Sequence, residues 1–274
     1  MQMELHHGLL ATLMKATLLL CAILALTLGR PASTQAQTAR FDQVHLAAAD
    51  PAKAVEWYLK YMNAQPWPDD EPFRVKSGDT RIIFLRSATA KPSEGGVVDH
   101  FGWSFADLDA KMKELQAAGI KIVSPVTNVP GLYKAAFIED PWGVKIQVLQ
   151  DPETLGFHHV QLVLPDPDGA FTWFLDGFGG QRARLKGKED ALKYGAVWIL
   201  ARKGESAESK GRAIDHLGFG TTDKPGSVAA KAADFHSKGV KFKQEPHQIR
   251  VGSHPVQVFI IDGPAGCEIE ILER

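Results

Sequence analysis

Three histidines of this 274-residue chain each stand seven residues ahead of an aspartate: His100 before Asp107, His159 before Asp166, and His216 before Asp223. Each lies in a stretch with strand-like alternation. His159, Gln161 and Val163 share one face of such a strand, and His216, Gly218 and Gly220 share one face of another. Near the C-terminus Glu268 and Glu270 alternate with Cys267 and Ile269, so both carboxylates face the same way. Imidazole and carboxylate groups hold divalent ions and move protons near neutral pH. One histidine in a strand is usually structural, but a repeated set calls for a common cause.

That cause is a duplication. Asp50, Pro51, Ala54, Trp57 and Leu59 recur as Asp166, Pro167, Ala170, Trp173 and Leu175. Gln65 and Gln181, His100 and His216, and Asp107 and Asp223 keep the same spacing. Two copies of one unit follow, over residues 40–150 and 156–274. Each copy divides again into strand, helix, then two or three strands. The expected strands and helices run 41–47, helix to 61, 81–85; 98–105, helix 107–118, 121–123, 133–138, 144–149; 157–164, helix 167–177, 195–201; and 214–220, helix 226–238, 240–243, 255–261, 267–272. Aspartate before proline is a good helix start, and Gly119 a good stop.

Composition narrows the function. With 31 basic and 32 acidic residues the net charge is -1, and no basic run breaks the balance. Neither a nucleic acid nor an anionic membrane is an expected partner. Residues 16–28 form an uncharged apolar run after Lys15, followed by small residues to Ala36. The run is short for a membrane span and reads as a signal peptide over residues 1–36, with Met14 the better start. A periplasmic or secreted location is therefore expected, with no membrane attachment after cleavage. Cys21 falls in that run, so Cys267 is left alone and no internal disulfide is expected.

The plan resembles the vicinal oxygen chelate superfamily, the glyoxalase/bleomycin resistance protein/dioxygenase group. The motifs that carry the likeness are His159–Asp166, His100–Asp107 and His216–Asp223, with the closing runs Asp140–Gln147 and Asp262–Glu270. The resemblance implies an α+β fold of four βαβββ modules, paired into two domains with curved mixed sheets. It implies metal ligands on opening and closing strands: His159, His216 and Glu270 in the second unit. Two imidazoles and a carboxylate suit Fe, Mn, Zn or Ni and leave positions for a substrate with adjacent oxygens. Gly218 and Gly220 would leave room over the ion. Glu268 and His254 are the candidate catalytic acid–base groups, His254 at the cup rim, and His247 belongs to the surface. Gln43, His100 and Gln147 hold the matching positions in the first unit, a lapsed set beside which His45 could substitute. Modules pair within a unit or by exchange; exchange would bring Gln43 or His45 to His216 and Glu270, and His159 to His100 and Gln147.

For the reaction, the resemblance implies a metal-dependent enzyme of the glyoxalase, isomerase or lyase type on a small substrate. A standard glyoxalase I adds a carboxylate from the closing strand of the first module in the pair, and residues 195–200 hold no Glu. A ring-cleaving extradiol dioxygenase is the alternative, although Phe259 stands where its Tyr is expected and His254 is out of register. A metal-free sequestering protein of the bleomycin-resistance type is the non-enzyme reading. Trp198, Phe259, Tyr194 and Trp142 could stack on a ligand, with core packing the safer role for most of them. The expected partners are the small-molecule substrate and at most a second copy of the chain.

Overall fold

The computed structural model describes residues 39–273 apart from 69–70, 222–223 and 225. The expected signal segment, Cys21 and Asp223 lie outside the described residues. The first module comprises β1 (Arg40–Ala48), α1 (Pro51–Tyr61), β2 (Gln65–Pro66), β3 (Arg74–Ser77) and β4 (Thr80–Arg86). The second comprises β5 (Val98–Ser104), α2 (Leu108–Ala117), β6 (Lys121–Asn128), β7 (Lys134–Glu139) and β8 (Lys145–Gln150). The third comprises β9 (Gly156–Leu164), α3 (Pro167–Phe178), β10 (Gln181–Leu185), β11 (Glu189–Tyr194) and β12 (Val197–Lys203). The fourth comprises β13 (Ile214–Gly220), α4 (Ser227–Ser237), β14 (Phe242–Val251), β15 (His254–Asp262) and β16 (Glu268–Leu272).

Helix starts follow the side-chain chemistry. Asp50, Asp107 and Asp166 each accept a bond from the backbone N–H three residues on, at 3.3, 3.0 and 3.0 Å. Such a cap is worth about 1 kcal/mol. Pro51 and Pro167 fill the first turn, where a missing N–H costs nothing. Gly119 takes a positive φ just past α2, which an L side chain would resist.

The strands form two eight-stranded sheets of α+β architecture. One has the order β14-β15-β16-β13-β1-β4-β3-β2, the other β10-β11-β12-β9-β5-β8-β7-β6. Module one thus joins module four, and module two joins module three. The seams are antiparallel: β1 on β13, with His45 opposite His216, and β5 on β9, with Gly102 opposite His159. One apolar core takes residues from both sheets and all four helices. Phe41 of β1 stacks on Phe157 of β9 at 5.8 Å, and Phe219 of β13 on Phe178 of α3 at 4.2 Å. Stripping one such ring to Ala costs about 3–5 kcal/mol. Cys267, free and fully buried, belongs to this core, and burial pushes its thiol up to about 12.

Four strands escape the sequence patterns: β2, β3, β10 and β11. They are short, all but β2 are rich in charge, and they sit at or beside sheet edges where burial imposes little alternation. For the same reason β14 extends well past its apolar start.

Candidate metal centre

Every module opens with a β-bulge. The unpaired extra residues are Asp42 in β1, Asp99 in β5, His158 in β9 and Asp215 in β13. A bulge turns two consecutive side chains towards one side of the strand. Each bulged residue therefore lies beside the opening side chain of its module: Gln43, His100, His159 or His216. Asp215 Oδ1 lies 2.7 Å from His216 Nδ1, and Asp99 Oδ2 lies 2.7 Å from His100 Nδ1. Sequence reading missed both carboxylates, although each directly precedes its histidine.

In the first sheet four side chains converge. The Gln43 amide nitrogen lies 2.7 Å from His45 Nε2 and donates to Glu270 Oε1 at 3.1 Å. His216 Nε2 lies 3.2 Å from Glu270 Oε2, and His45 Nε2 lies 3.7 Å from the same oxygen. The His45 and His216 rings stack with centres 3.9 Å apart. His45, His216 and Glu270 offer ligand atoms within 4.8 Å of one another. All three are buried, and so is Gln43.

Burial and charge set the protonation. His216 sits between two carboxylates, Asp215 and Glu270, which overcome its burial and raise it to about 9. Glu270 is pulled down to about 2 by His216 and His45, against a burial effect that favours its neutral form. His45 is lowered to about 3 by burial and by the neighbouring His216. An imidazolium on His216 therefore bridges two carboxylates in the metal-free chain.

These residues fit a divalent ion. Ligand atoms about 2 Å from one ion lie about 3 Å from each other, and Glu270 Oε2 lies 3.2 Å from His216 Nε2 and 3.7 Å from His45 Nε2. Asp215 occupies His216 Nδ1 and leaves Nε2 to face the cluster, the usual carboxylate–histidine support of a metal site. Gln43 Oε1 and His45 Nδ1 are buried without a hydrogen-bond partner. Exchange of the Gln43 amide atoms would turn its oxygen to the cluster, where an ion would be its partner.

The expected trio is only partly assembled. His216 and Glu270 stand together, but His159 lies in the other sheet, because β9 pairs with β5 and not with β13. His45 takes its place. Gly218 does leave room, but for Gln43: a Cβ there would meet Gln43 Cγ at 2.3 Å. The closing strand beside the cluster is β4 and not residues 195–200, and it too lacks a carboxylate; Ile83 pairs with His45 there. Glu268 stands on the other side of His216, close to Asp215 and 3.3 Å from Lys210 Nζ. His254 is exposed at the tip of the β14–β15 hairpin, and His247 is exposed on β14. The tip meets the opposite edge of the sheet: the Gly252 N–H donates to Glu71, which lies between β2 and β3. Phe259 and Tyr194 are core residues, stacked on Phe242 and set edge-on to Phe219 respectively. Trp142 is half-buried against the core, while Trp198 stands beside His159 in the second sheet.

Comparison with known proteins agrees with this architecture. Residues 40–148 match the model of the Glyoxalase/Bleomycin resistance protein/Dioxygenase superfamily. No curated protein matches the chain. Glyoxalase I from Zea mays has the same fold, with a TM-score of 0.67 at 16% identity over 86% of this chain and 92% of that one. The V278E mutant of that enzyme gives 0.68 at 17% identity over the same shares. A candidate dioxygenase from Bacillus subtilis gives 0.58 at 12% identity over 86% of each chain. Residues 40–148 thus carry the sequence pattern of that superfamily, and the chain as a whole has the fold of these solved structures.

Proposed function

We propose that the first sheet is the active site of a divalent-metal enzyme acting on a small oxygen-bearing substrate. The observation that carries this reading is the convergence of His45, His216 and Glu270 beside Gln43. The bound ion would act as a Lewis acid towards a substrate that presents adjacent oxygens. His45, His216 and Glu270 would hold it, and Asp215 keeps His216 in the required tautomer. Ile83 and Ile260, in register beside His45 and Glu270, give the site apolar walls. Glu268 is the nearest carboxylate left to move a proton, and His254 is the imidazole of the hairpin tip.

The reaction class follows from the ligand set. Ile83 stands where a further carboxylate would complete a glyoxalase-type centre. Two histidines and one carboxylate with open positions also form the arrangement used by non-haem Fe(II) oxygenases. That observation supports ring-cleaving dioxygenation as the second reading. Export, read from residues 1–36, would place the protein in the periplasm or outside the cell, where Fe(II) is harder to keep reduced.

The test is the metal content of the chain purified without chelators, beside Glu270→Ala and His216→Ala. Loss of one equivalent in both variants is the expected result, with iron favouring the oxygenase and nickel, zinc or manganese the isomerase or lyase. Unchanged metal content in Glu270→Ala would sink the assignment.

A further inference from the structure

The turns that lead into β5 and β13 are built alike. Ser93 Oγ accepts from the Lys145 N–H at 2.9 Å, and Ser209 Oγ accepts from the Glu268 N–H at 3.0 Å. Gly95 and Gly211 both take a positive φ. Each donates its N–H to the bulged aspartate that follows, at 3.5 Å to Asp99 Oδ1 and at 3.0 Å to Asp215 Oδ2. The strand registers agree: Gly102 pairs with Gln147 as Gly218 pairs with Glu270, so Lys145 and Glu268 hold one position on the closing strands. Glu94 and Lys210 hold one position in the turns, each directly before its glycine.

At these two positions the charges are exchanged. In the second sheet the strand supplies the ammonium and the turn the carboxylate. Lys145 Nζ lies 2.7 Å from Glu94 Oε1 and 3.5 Å from Asp99 Oδ2. In the first sheet the turn supplies the ammonium and the strand the carboxylate. Lys210 Nζ lies 3.3 Å from Glu268 Oε1 and 3.0 Å from Asp215 Oδ1. The ammonium and the imidazole share one aspartate oxygen in both sheets: Asp99 Oδ2 for Lys145 and His100, Asp215 Oδ1 for Lys210 and His216. The pair is reversed between the copies, yet a cation reaches the bulged aspartate in each. A buried carboxylate is costly unless it is paired and hydrogen-bonded, so the shared requirement is a cation on that aspartate, whichever element carries it.

We propose that Lys210 is a positioning residue for His216: its ammonium, braced by Glu268, holds Asp215 against Nδ1 so that Nε2 faces Glu270 and His45. This rests on the reading of the first sheet as a metal centre. Lys210 acts through Asp215, which already fixes the tautomer. The sign of its effect separates this role from plain charge. By charge alone a half-exposed ammonium repels a divalent ion, and its removal would tighten binding. As a positioning group its removal loosens binding.

The test uses the full-length chain with two readouts. One is the hydrogen-bonded Nδ1 proton of His216, followed by NMR in the metal-free protein. The other is affinity for Zn(II), by competition with a chromophoric chelator. Lys210→Met should broaden or lose the proton resonance and weaken Zn(II) binding about 3–10-fold, less than substitution of Asp215 itself. Lys210→Arg should keep both. Lys210→Glu should lose both, and adding Glu268→Lys should restore them, because the double variant rebuilds the second sheet's arrangement at unchanged net charge. Circular dichroism reports that each variant is folded. The inference is overturned if Lys210→Met keeps the resonance or binds Zn(II) as tightly as wild type or more so. It is equally overturned if the double variant is no better than Lys210→Glu. A wild type that binds no Zn(II) would remove the metal reading, while the proton resonance across the series would still decide whether Lys210 positions His216.

Discussion

At the scale of single residues, the proposed metal centre is a charge balance held by Asp215. Its carboxylate fixes His216 Nδ1 and leaves Nε2 for the ion. Asp215→Asn should weaken metal binding about 10–100-fold while Glu270 and His45 stay in place, measured by competition with a chromophoric chelator. Undiminished affinity would mean that the tautomer is set elsewhere. The protonation of His216 gives a second expectation. Its folded value of about 9 lies above the ordinary one, so its charge stabilises the metal-free fold fully below pH 6.5. That contribution is lost as pH rises towards 9. Glu270 runs the other way: its contribution is present above pH 4.5 and is lost as pH falls to about 2. An incoming ion must displace the His216 proton, so affinity should climb with pH up to about 9. Calorimetry at neutral pH in two buffers of different ionisation heat should show about one proton released per ion. No buffer dependence would contradict the bridged imidazolium. His216 and Glu270 were legible in the sequence from their places in a repeated motif. Asp215 and His45 were not fixed by it, because a bulge shifts the strict alternation by which strand faces are read.

At the scale of elements, glycines opposite the openers decide whether the centre forms. Gly218 gives up its side-chain volume to Gln43 and Gly102 gives up its own to His159. Gly218→Ala should displace Gln43, lower stability by about 1–3 kcal/mol and loosen the centre, read as a lower melting temperature together with weaker metal binding. A neutral result would show that β13 can shift to absorb a methyl group. The helices were readable from their aspartate caps and apolar faces. Strand β13 was readable to the residue, because both its faces are buried. The edge strands were not, since half-exposed charged stretches such as β10 and β11 owe their form to partners on either side.

At the scale of the whole molecule, the duplication foretold four modules but left their partners open. Strand order settles it: each sheet needs the first half of the chain and the second. A chain cut to residues 40–150 would present the seam edges of β1 and β5 with nothing to pair them. Such a fragment should be unfolded or self-associated when expressed alone, and should gain native structure when mixed with 156–274. Light scattering and circular dichroism would report this, and a stable folded monomer of 40–150 would refute it. Pairing of this kind depends on contacts between distant parts of the chain, on which a local sequence pattern carries no signal.

The bond from Gly252 to Glu71 joins the two margins of the first sheet. An exposed contact of that kind is worth about 1 kcal/mol, so it breaks often on the timescale of loop motion. That one bond ties the tip of the β14–β15 hairpin to the loop between β2 and β3, so the two exposed segments are held or released together. Glu71→Ala should therefore loosen both segments at once, read as faster amide exchange or proteolysis at the hairpin tip and at the β2–β3 loop together, and unchanged rates at the tip would mean that it is held elsewhere.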